Sequence, residues 1–213
     1  MVVVFDLDDT LYDEIEFVKS GFKEISAYLG SESYYFFMME EFEKNGSGKV
    51  FDKLLKEYEL PTPLEKLIEI YRFHKPKITL PNETQALLQF TQKYKTALIS
   101  DGHYITQQNK FDALGLAHYI DYPIFTDFHH TFKPQLKPFE MVMKQYTDET
   151  YVYISDNPKK DFIAPNQLAW KTIRFKNSAG IYKNFKNNAL YEVTNRKDIK
   201  NILEKLATAL KNN

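Results

Sequence analysis

The sequence predicts an α/β fold: a doubly wound, Rossmann-like parallel sheet with a small all-helical domain inserted after the first strand. Short apolar segments alternate with segments of helical period through most of the chain, as in parallel sheets whose strands are connected by helices. The first apolar segment stands at the N-terminus, whereas residues 13–75 show helical periodicity and no convincing strand. We therefore expect an α/β core of residues 1–12 and 76–213 and a helical insertion of residues 13–75.

The first strand is predicted over the apolar residues 2–5, just before Asp6 and Asp8. A continuous apolar run is typical of a strand that is buried on both faces. Ligands bind at the carboxyl ends of strands in open α/β sheets, so this acid pair is a candidate site. Two carboxylates this close repel each other, and we expect a cation or a shared proton to neutralise them. The alternative is that Asp9 or Thr10 only caps the following helix.

Helices are predicted for most of the insertion. Apolar residues recur there every three or four positions, so one face of each helix should be buried. Glycine-rich and proline-rich stretches interrupt the pattern. The helical runs are 15–29, the segment from 51 to the Pro61-Thr62-Pro63 break, and 64–72.

Past Pro76 the chain alternates between helices and strands, and each strand is short, apolar and followed by polar residues. This alternation is typical of parallel strands that are joined by helical crossovers. The predicted strands are 95–99, 122–125, 151–154 and 171–175. The predicted helices are 82–94, 106–114, 138–146, 162–169 and 198–210.

Composition excludes several classes of function. The 213 residues are 43% hydrophobic and 27% charged, with a net charge of −1, so there is no basic field for nucleic acid or for an anionic membrane. The chain has no cysteine, which excludes disulfides and thiolate catalysis. It shows neither a signal-peptide pattern nor an apolar run of membrane-spanning length, so we expect a cytoplasmic protein. The oligomeric state is left open.

Polar residues follow the other predicted strands as well. The segment Ser100-Asp101-Gly102 precedes a helix and offers a hydroxyl and backbone N–H groups, a suitable cradle for an anion. An isolated serine here would equally be an ordinary helix cap. Asp156 and Asp161 follow a later strand and are either a turn with a helix cap or a metal ligand with its supporting residue. Lys133 lies in a loop, where it is either solvated or the charge that neutralises a phosphate.

Taken in order, these residues resemble the motifs of the haloacid dehalogenase-like hydrolase superfamily. The first motif of that family, Asp-x-Asp-x-Thr, matches residues 6–10, and the second, an apolar strand ending in Ser or Thr, matches residues 97–100. The third is a lysine often followed by proline, matched by Lys133 in a variant of the run Lys-Pro-x-Pro-x-Pro-Phe-Glu with Leu136 at the middle proline. The fourth is an aspartate pair after a strand, matched by residues 156–161.

The resemblance implies a Mg²⁺-dependent phosphatase for a small phosphorylated substrate, a sugar phosphate or a nucleoside monophosphate. It implies that Asp6 is the nucleophile, which forms an aspartyl-phosphate, and that Asp8 is the general acid and base. It implies that Asp6, Asp8 (through its backbone carbonyl) and Asp156 bind the metal. The implied phosphate-binding residues are Ser100, Asp101, Gly102 and Lys133. Thr10 would support Asp8, and Asp161 would support Lys133 or the metal.

The resemblance also implies that the insertion is the helical cap found in one subgroup of the family, which closes over the site and selects the leaving group. Asp8 favours phosphate chemistry over dehalogenation, because dehalogenases do not need a second acid at this position. A phosphomutase of the β-phosphoglucomutase type and a non-catalytic binding protein of the same fold are the alternatives. Candidate contacts from the insertion to the substrate are Tyr12, Phe17, Phe22, Lys49, Lys53 and Arg72.

Overall fold

The structure is a computed structural model that describes residues 1–147, 149–178 and 180–211. Within these residues six strands form one sheet in the order β3-β2-β1-β4-β5-β6, and every neighbouring pair is parallel. The strands are β1 (Val2–Phe5), β2 (Lys95–Ser100), β3 (Tyr122–Phe125), β4 (Tyr151–Ser155), β5 (Lys171–Phe175) and β6 (Tyr191–Val193). The predicted parallel α/β sheet is therefore confirmed.

The described residues also contain nine α-helices. They are α1 (Ile15–Leu29), α2 (Ser33–Asn45), α3 (Val50–Glu57), α4 (Leu64–Phe73), α5 (Asn82–Thr91), α6 (Tyr104–Ala113), α7 (Lys137–Gln145), α8 (Ile163–Gln167) and α9 (Arg196–Lys211). Side chains alternate along β1, so Val3 and Phe5 pack into one buried cluster with α5, α6 and α9. Val2 and Val4 pack into a second cluster with α7 and α8. This two-sided packing makes the sheet doubly wound.

The register of the central strand brings three strand ends together. Phe5, the last residue of β1, pairs with Leu98 of β2 on one side and with Ile154 of β4 on the other. The residues that follow these positions in each strand consequently emerge at the same edge of the sheet. Asp6, Ser100 and Asp156 all lie at this edge and are all buried.

The insertion contains α1 to α4 and has a hydrophobic cluster of its own, centred on Phe22, Ile25 and Leu67. Gly30 ends α1 in the left-handed conformation (φ 81°), and its N–H donates to carbonyls of the last turn. Contacts between α4 and α6 connect the insertion to the core. The division of the chain at residues 12 and 75 stays a prediction.

One strand was not predicted from the sequence. β6 has three residues at the edge of the sheet, and only Val193 among them is buried, so the apolar signal of a core strand is missing. The predicted helices all appear, with ends that differ by a few residues; α6, for example, begins at Tyr104 rather than at 106. Among the described residues, no helix combines the length and apolar character needed to cross a bilayer.

Candidate active site

The Asp6 carboxylate lies at the end of β1, in the middle of the sheet edge. Its backbone N–H donates to the Ile154 carbonyl at 2.9 Å, which extends the strand pairing to this residue. The side chain is buried, with Oδ1 accepting a bond from Lys133 Nζ at 2.6 Å and Oδ2 accepting one from Thr10 Oγ1 at 3.3 Å. Burial raises the pKa of Asp6 to about 7, although Lys133 opposes the rise. Both oxygens are thus oriented, as a nucleophile requires.

Lys133 is the buried cation of the site. Its ammonium donates to Asp6 Oδ1 at 2.6 Å, to Asp161 Oδ2 at 3.1 Å and to the Tyr153 hydroxyl at 3.2 Å. Burial alone would lower the pKa of Lys133, but the carboxylates of Asp161 and Asp6 outweigh it and hold this pKa well above its usual value. Lys137, the other lysine followed by proline, is the first residue of α7; it is exposed and donates to the His129 carbonyl.

Three buried carboxylates meet where a cation can bind. Oxygens of Asp6, Asp156 and Asp161 lie within 4.8 Å of one another. Burial, followed by the charge of Asp6, raises the pKa of Asp156 to about 9. Asp161 Oδ1 is buried with no hydrogen-bond partner in the described part of the chain. Oxygen ligands with surplus negative charge are what a hard divalent cation prefers, so this cluster fits such an ion.

The Asp8 carboxylate points away from that cluster. Its Oδ1 accepts bonds from the Tyr12 hydroxyl at 2.7 Å and from Lys110 Nζ at 2.8 Å, and its Oδ2 accepts one from Gln107 Nε2 at 3.0 Å. Burial would raise the pKa of Asp8, but Lys110 and the other donors outweigh it and lower this pKa. We expected Thr10 to support Asp8; its hydroxyl instead donates to Asp6, because the turn after β1 directs it there.

The end of β2 holds the lysine loop in place. The Asp101 carboxylate accepts the backbone N–H of Lys133 at 3.1 Å and the Thr126 hydroxyl at 2.8 Å, and it forms an ion pair with Lys160. Burial and these cations act in opposite directions, and the pKa of Asp101 is lowered as a result. Asp101 therefore presents a side chain, in addition to the backbone N–H that was predicted for it, at this edge.

A small polar cavity of about 150 Å³ lies among these groups. Ser100 and Gly102, which were predicted to bind phosphate, are not among its lining residues, although both adjoin Asp101. The lining residues are Asp6, Asp8, Asp9, Glu14, Asp101, Lys133, Asp156, Asn157, Lys160, Asp161, Ile181 and Tyr182.

A second cavity, of about 430 Å³, lies between the insertion and the core. Glu14 lines both cavities. Three of the six candidate substrate contacts, Phe17, Lys49 and Arg72, line the second cavity. The other three candidates have different surroundings. Phe22 lies in the cluster of the insertion, Lys53 pairs with a glutamate, and Tyr12 donates to Asp8.

Sequence analysis missed Gln107, Lys110 and Lys160. Gln107 and Lys110 lie three residues apart on α6, on its buried face, where an apolar residue would be expected. Polar residues in a helix are normally interpreted as facing solvent. That Gln107 and Lys110 are buried becomes clear only when the fold places Asp8 beside them. Lys160 immediately precedes Asp161 in the fourth motif, and this position was the feature of the sequence that could have placed it at the site.

The chain is similar in sequence to known hydrolases. A family-wide sequence profile described as haloacid dehalogenase-like hydrolase matches residues 3–175. The glyceraldehyde 3-phosphate phosphatase of Methanocaldococcus jannaschii is 30% identical, over 99% of this chain and 96% of that protein. The protein of the same name from Pyrococcus furiosus is 26% identical, over 96% of this chain and 93% of its own length.

A solved structure supports the same fold. The Bacillus subtilis protein YfnB, whose structure was determined with bound magnesium, aligns with a TM-score of 0.72 at 17% sequence identity. The alignment covers 95% of this chain and 97% of that one.

Proposed function

Because the chain belongs to the haloacid dehalogenase-like hydrolases, we propose that it is a phosphatase that hydrolyses the phosphomonoester of a small sugar phosphate. The observation that carries this proposal is the contact of the buried Asp6 carboxylate with Lys133, beside Asp156 and Asp161. A carboxylate that is oriented by a lysine and faces a cation site is arranged to attack a phosphoryl group. The two relatives named as glyceraldehyde 3-phosphate phosphatases, which match over nearly their whole length, support the same activity.

The reaction we propose has two steps. An Asp6 oxygen attacks phosphorus while the bond from phosphorus to the leaving oxygen breaks. Asp8 is ionised in the free protein, takes up a proton when the substrate binds, and gives that proton to the leaving oxygen. The product alcohol leaves, and Asp6 carries the phosphoryl group as an acyl phosphate. Asp8, now a carboxylate, takes a proton from a water molecule as that water attacks phosphorus, which releases inorganic phosphate and restores Asp6. Lys133 balances the negative charge of the phosphoryl oxygens throughout.

Mg²⁺ is the divalent cation that we propose for this site. Asp6, Asp156 and the backbone carbonyl of Asp8 would hold it, and Asp161 adds negative charge beside them. When bound, the cation neutralises charge on the transferring phosphoryl group. The magnesium in the similar YfnB structure supports this choice of metal.

The activity is tested by phosphate release from a panel that contains glyceraldehyde 3-phosphate, glycerol 3-phosphate, hexose phosphates and nucleoside monophosphates. We expect release with Mg²⁺, none with a chelator, and a triose phosphate among the best substrates. Asp6→Asn should abolish release, whereas Asp112→Asn, an exposed position on α6, should not. A folded wild-type protein that releases phosphate from no member of the panel would overturn the proposal.

The metal site is tested separately by thermal unfolding with and without Mg²⁺. A ligand that binds only the folded state raises the midpoint of unfolding, so Mg²⁺ should stabilise the wild-type protein. Asp156→Asn should remove most of this stabilisation, and Asp112→Asn should keep it. An unchanged Mg²⁺ response in Asp156→Asn would place the cation elsewhere.

A further inference from the structure

We infer that Gln107 and Lys110 of α6 are positioning residues that hold Asp8 where it transfers a proton to the leaving group. This inference rests on the proposed function, since it needs Asp8 to act as a general acid. Neither residue belongs to the motifs that carried the family resemblance. Their contacts with Asp8 join an element of the core helix layer directly to the catalytic carboxylate.

The geometry fixes the Asp8 side chain from both of its oxygens. Lys110 Nζ lies 2.8 Å from Oδ1, and Gln107 Nε2 lies 3.0 Å from Oδ2. A carboxylate that is held at one oxygen can still rotate about its bond to Cβ, whereas one held at both oxygens cannot. Proton transfer requires a defined donor position within hydrogen-bond reach of the leaving oxygen.

Gln107 also ties Asp8 to the end of β2. Its amide nitrogen donates to the Asp101 carbonyl at 2.7 Å as well as to Asp8, so one side chain bridges the ends of β1 and β2. Gly102 makes room for this bridge. A Cβ at residue 102 would lie 2.5 Å from Gln107 Nε2. The turn after β2 is therefore shaped for the glutamine.

Burial of a charged lysine at position 110, in a helix that packs on the core, carries a large desolvation penalty. Its side chain is 2% exposed, and its ammonium lies 4.4 Å from the centre of the Phe17 ring, between Asp8 and Glu14 at 3.5 Å. Burying an ion pair contributes little net stability compared with apolar residues of the same size. A leucine or a methionine at position 110 would fill the same space. We therefore attribute the positive charge of Lys110 to its contact with the Asp8 carboxylate.

The location of these residues matches the path of the leaving group. Gln107 and Lys110 line the larger cavity beneath the insertion, and Asp8 lines the small polar cavity beside Asp6. Glu14 lines both cavities, so a substrate whose phosphoryl group bound beside Asp6 could extend its alcohol from the small cavity into the larger one. Gln107 and Lys110 thus act on the proton donor from the side on which the alcohol departs.

Leaving groups of different acidity separate positioning from a structural role. An alkoxide is a poor leaving group and needs the proton from Asp8, whereas 4-nitrophenolate leaves as a stable anion without it. The quantity kcat/KM reports only the steps up to phosphoryl transfer, so the later water-activating step does not affect it. We therefore compare kcat/KM for the alkyl ester glycerol 3-phosphate with kcat/KM for 4-nitrophenyl phosphate.

The variants are Lys110→Met and Gln107→Met, which conserve side-chain volume, with Gln108→Met on the same helix as the matched control. The Gln108 side chain donates to the exposed Asp112 and has no contact with Asp8 in the described part of the chain, so it should tolerate the change. In the first two variants kcat/KM for the alkyl ester should fall by about tenfold to a hundredfold. For the aryl ester it should change by less than about threefold. Asp8→Asn should show the same selective loss.

The possible outcomes are distinguishable. Equal losses on both esters, or no loss on either, would overturn the inference while the wild-type activity stands. A wild-type protein that hydrolyses neither of these esters nor any member of the phosphate panel would overturn the proposed function itself, and a non-selective Asp8→Asn would overturn the acid role of Asp8. If Lys110→Met fails to fold, Gln107→Met decides the matter, because it removes no buried charge.

Discussion

At the residue scale, the centre of the site is one buried lysine surrounded by acids. Lys133 contacts Asp6 and Asp161 at once, and its loop is fixed through the Asp101 carboxylate. A buried charge of this kind is stable only while its partners are present. The same arrangement leaves Asp156 with an excess of negative neighbours, which is the condition for cation binding.

Replacement of Lys133 by methionine should abolish most of the activity. The Asp6 carboxylate would lose its orienting donor, and the phosphoryl oxygens would lose a positive charge, so kcat/KM should fall by at least about a hundredfold. Steady-state phosphate release measures this. Lys137→Met, an exposed lysine four residues on, is the matched control and should retain activity. Similar losses in both variants would contradict the position we assign to Lys133.

Glu14 should make the stability of the protein depend on pH. The charge of Asp8, followed by burial, raises the pKa of Glu14 from 4.5 to about 7, with Lys110 opposing and Asp9 adding to the rise. The pKa is higher in the folded state than in the unfolded state, so ionisation opposes folding. Stability is therefore lost as the pH rises from about 4.5 through 7.

Urea unfolding of Glu14→Gln measures this effect. The side chain is about half exposed (47%), so solvent screens much of the interaction, and we expect a gain of only about 1 kcal/mol at pH 8. Almost no gain is expected at pH 4, where the carboxyl group is mostly neutral in both states. A variant that gains equally at both values would show that packing, not charge, is responsible.

At the element scale, the turn between β2 and α6 determines how the catalytic residues meet. Gly102 has a φ of 125°, a conformation that residues with a Cβ rarely adopt. Gly102→Ala should therefore strain the backbone and push Gln107 away from Asp8 and Asp101. We expect a loss of unfolding free energy of about 1–3 kcal/mol and a lower kcat/KM for alkyl phosphates.

Gly48→Ala in the loop before α3 is the control for this substitution. A Cβ there meets no atom within 4 Å, so both stability and activity should stay near the wild-type values. Thermal unfolding and phosphate release on the two variants make the comparison. A Gly102→Ala protein that matches wild type in both measurements would show that the turn is not required for the Gln107 contact.

The elements were predicted best where burial alone determines the sequence. β1 and most of β4 are continuous apolar runs in the middle of the sheet, β2 contains the shorter apolar run 97–99, and acids or serines mark the carboxyl ends of all three. β6 was missed because an edge strand of three residues buries too little to leave a pattern. The candidate site follows the same rule, since Asp6, Ser100 and Asp156 are fixed by the strands that precede them.

The supporting residues could not be predicted from local pattern. Gln107 and Lys110 interrupt the apolar face of α6, and their burial makes sense only once Asp8, Glu14 and Phe17 stand opposite them in the fold. That Thr10 donates to Asp6 rather than supporting Asp8 could not be predicted either, because it depends on the geometry of the turn after β1. The contacts of Gln107 and Lys110 with Asp8 join residues about a hundred positions apart in the chain, beyond the reach of helical or strand periodicity.

At the scale of the whole molecule, the site is lined by the insertion on one side and by the segment after β5 on the other. Helices α1, α3 and α4 of the insertion line the larger cavity, and the segment after β5 contributes Ile181 and Tyr182 to the small one. Arg174, fully buried in β5, holds that segment by donating to the Tyr182 carbonyl at 2.6 Å and the Phe185 carbonyl at 2.8 Å. Residues from two separate parts of the chain, the insertion and the segment after β5, therefore border the site.

The account as a whole requires that Asp6 carry the phosphoryl group during turnover. The most direct measurement uses the Asp8→Asn variant with 4-nitrophenyl phosphate and Mg²⁺, because loss of the base should let the phosphorylated protein accumulate. Acid quenching and peptide sequencing by mass spectrometry then locate the group. We predict one phosphoryl group on Asp6 and none in Asp6→Asn. Phosphate release without a phosphorylated protein, or a group on any other residue, would contradict the account.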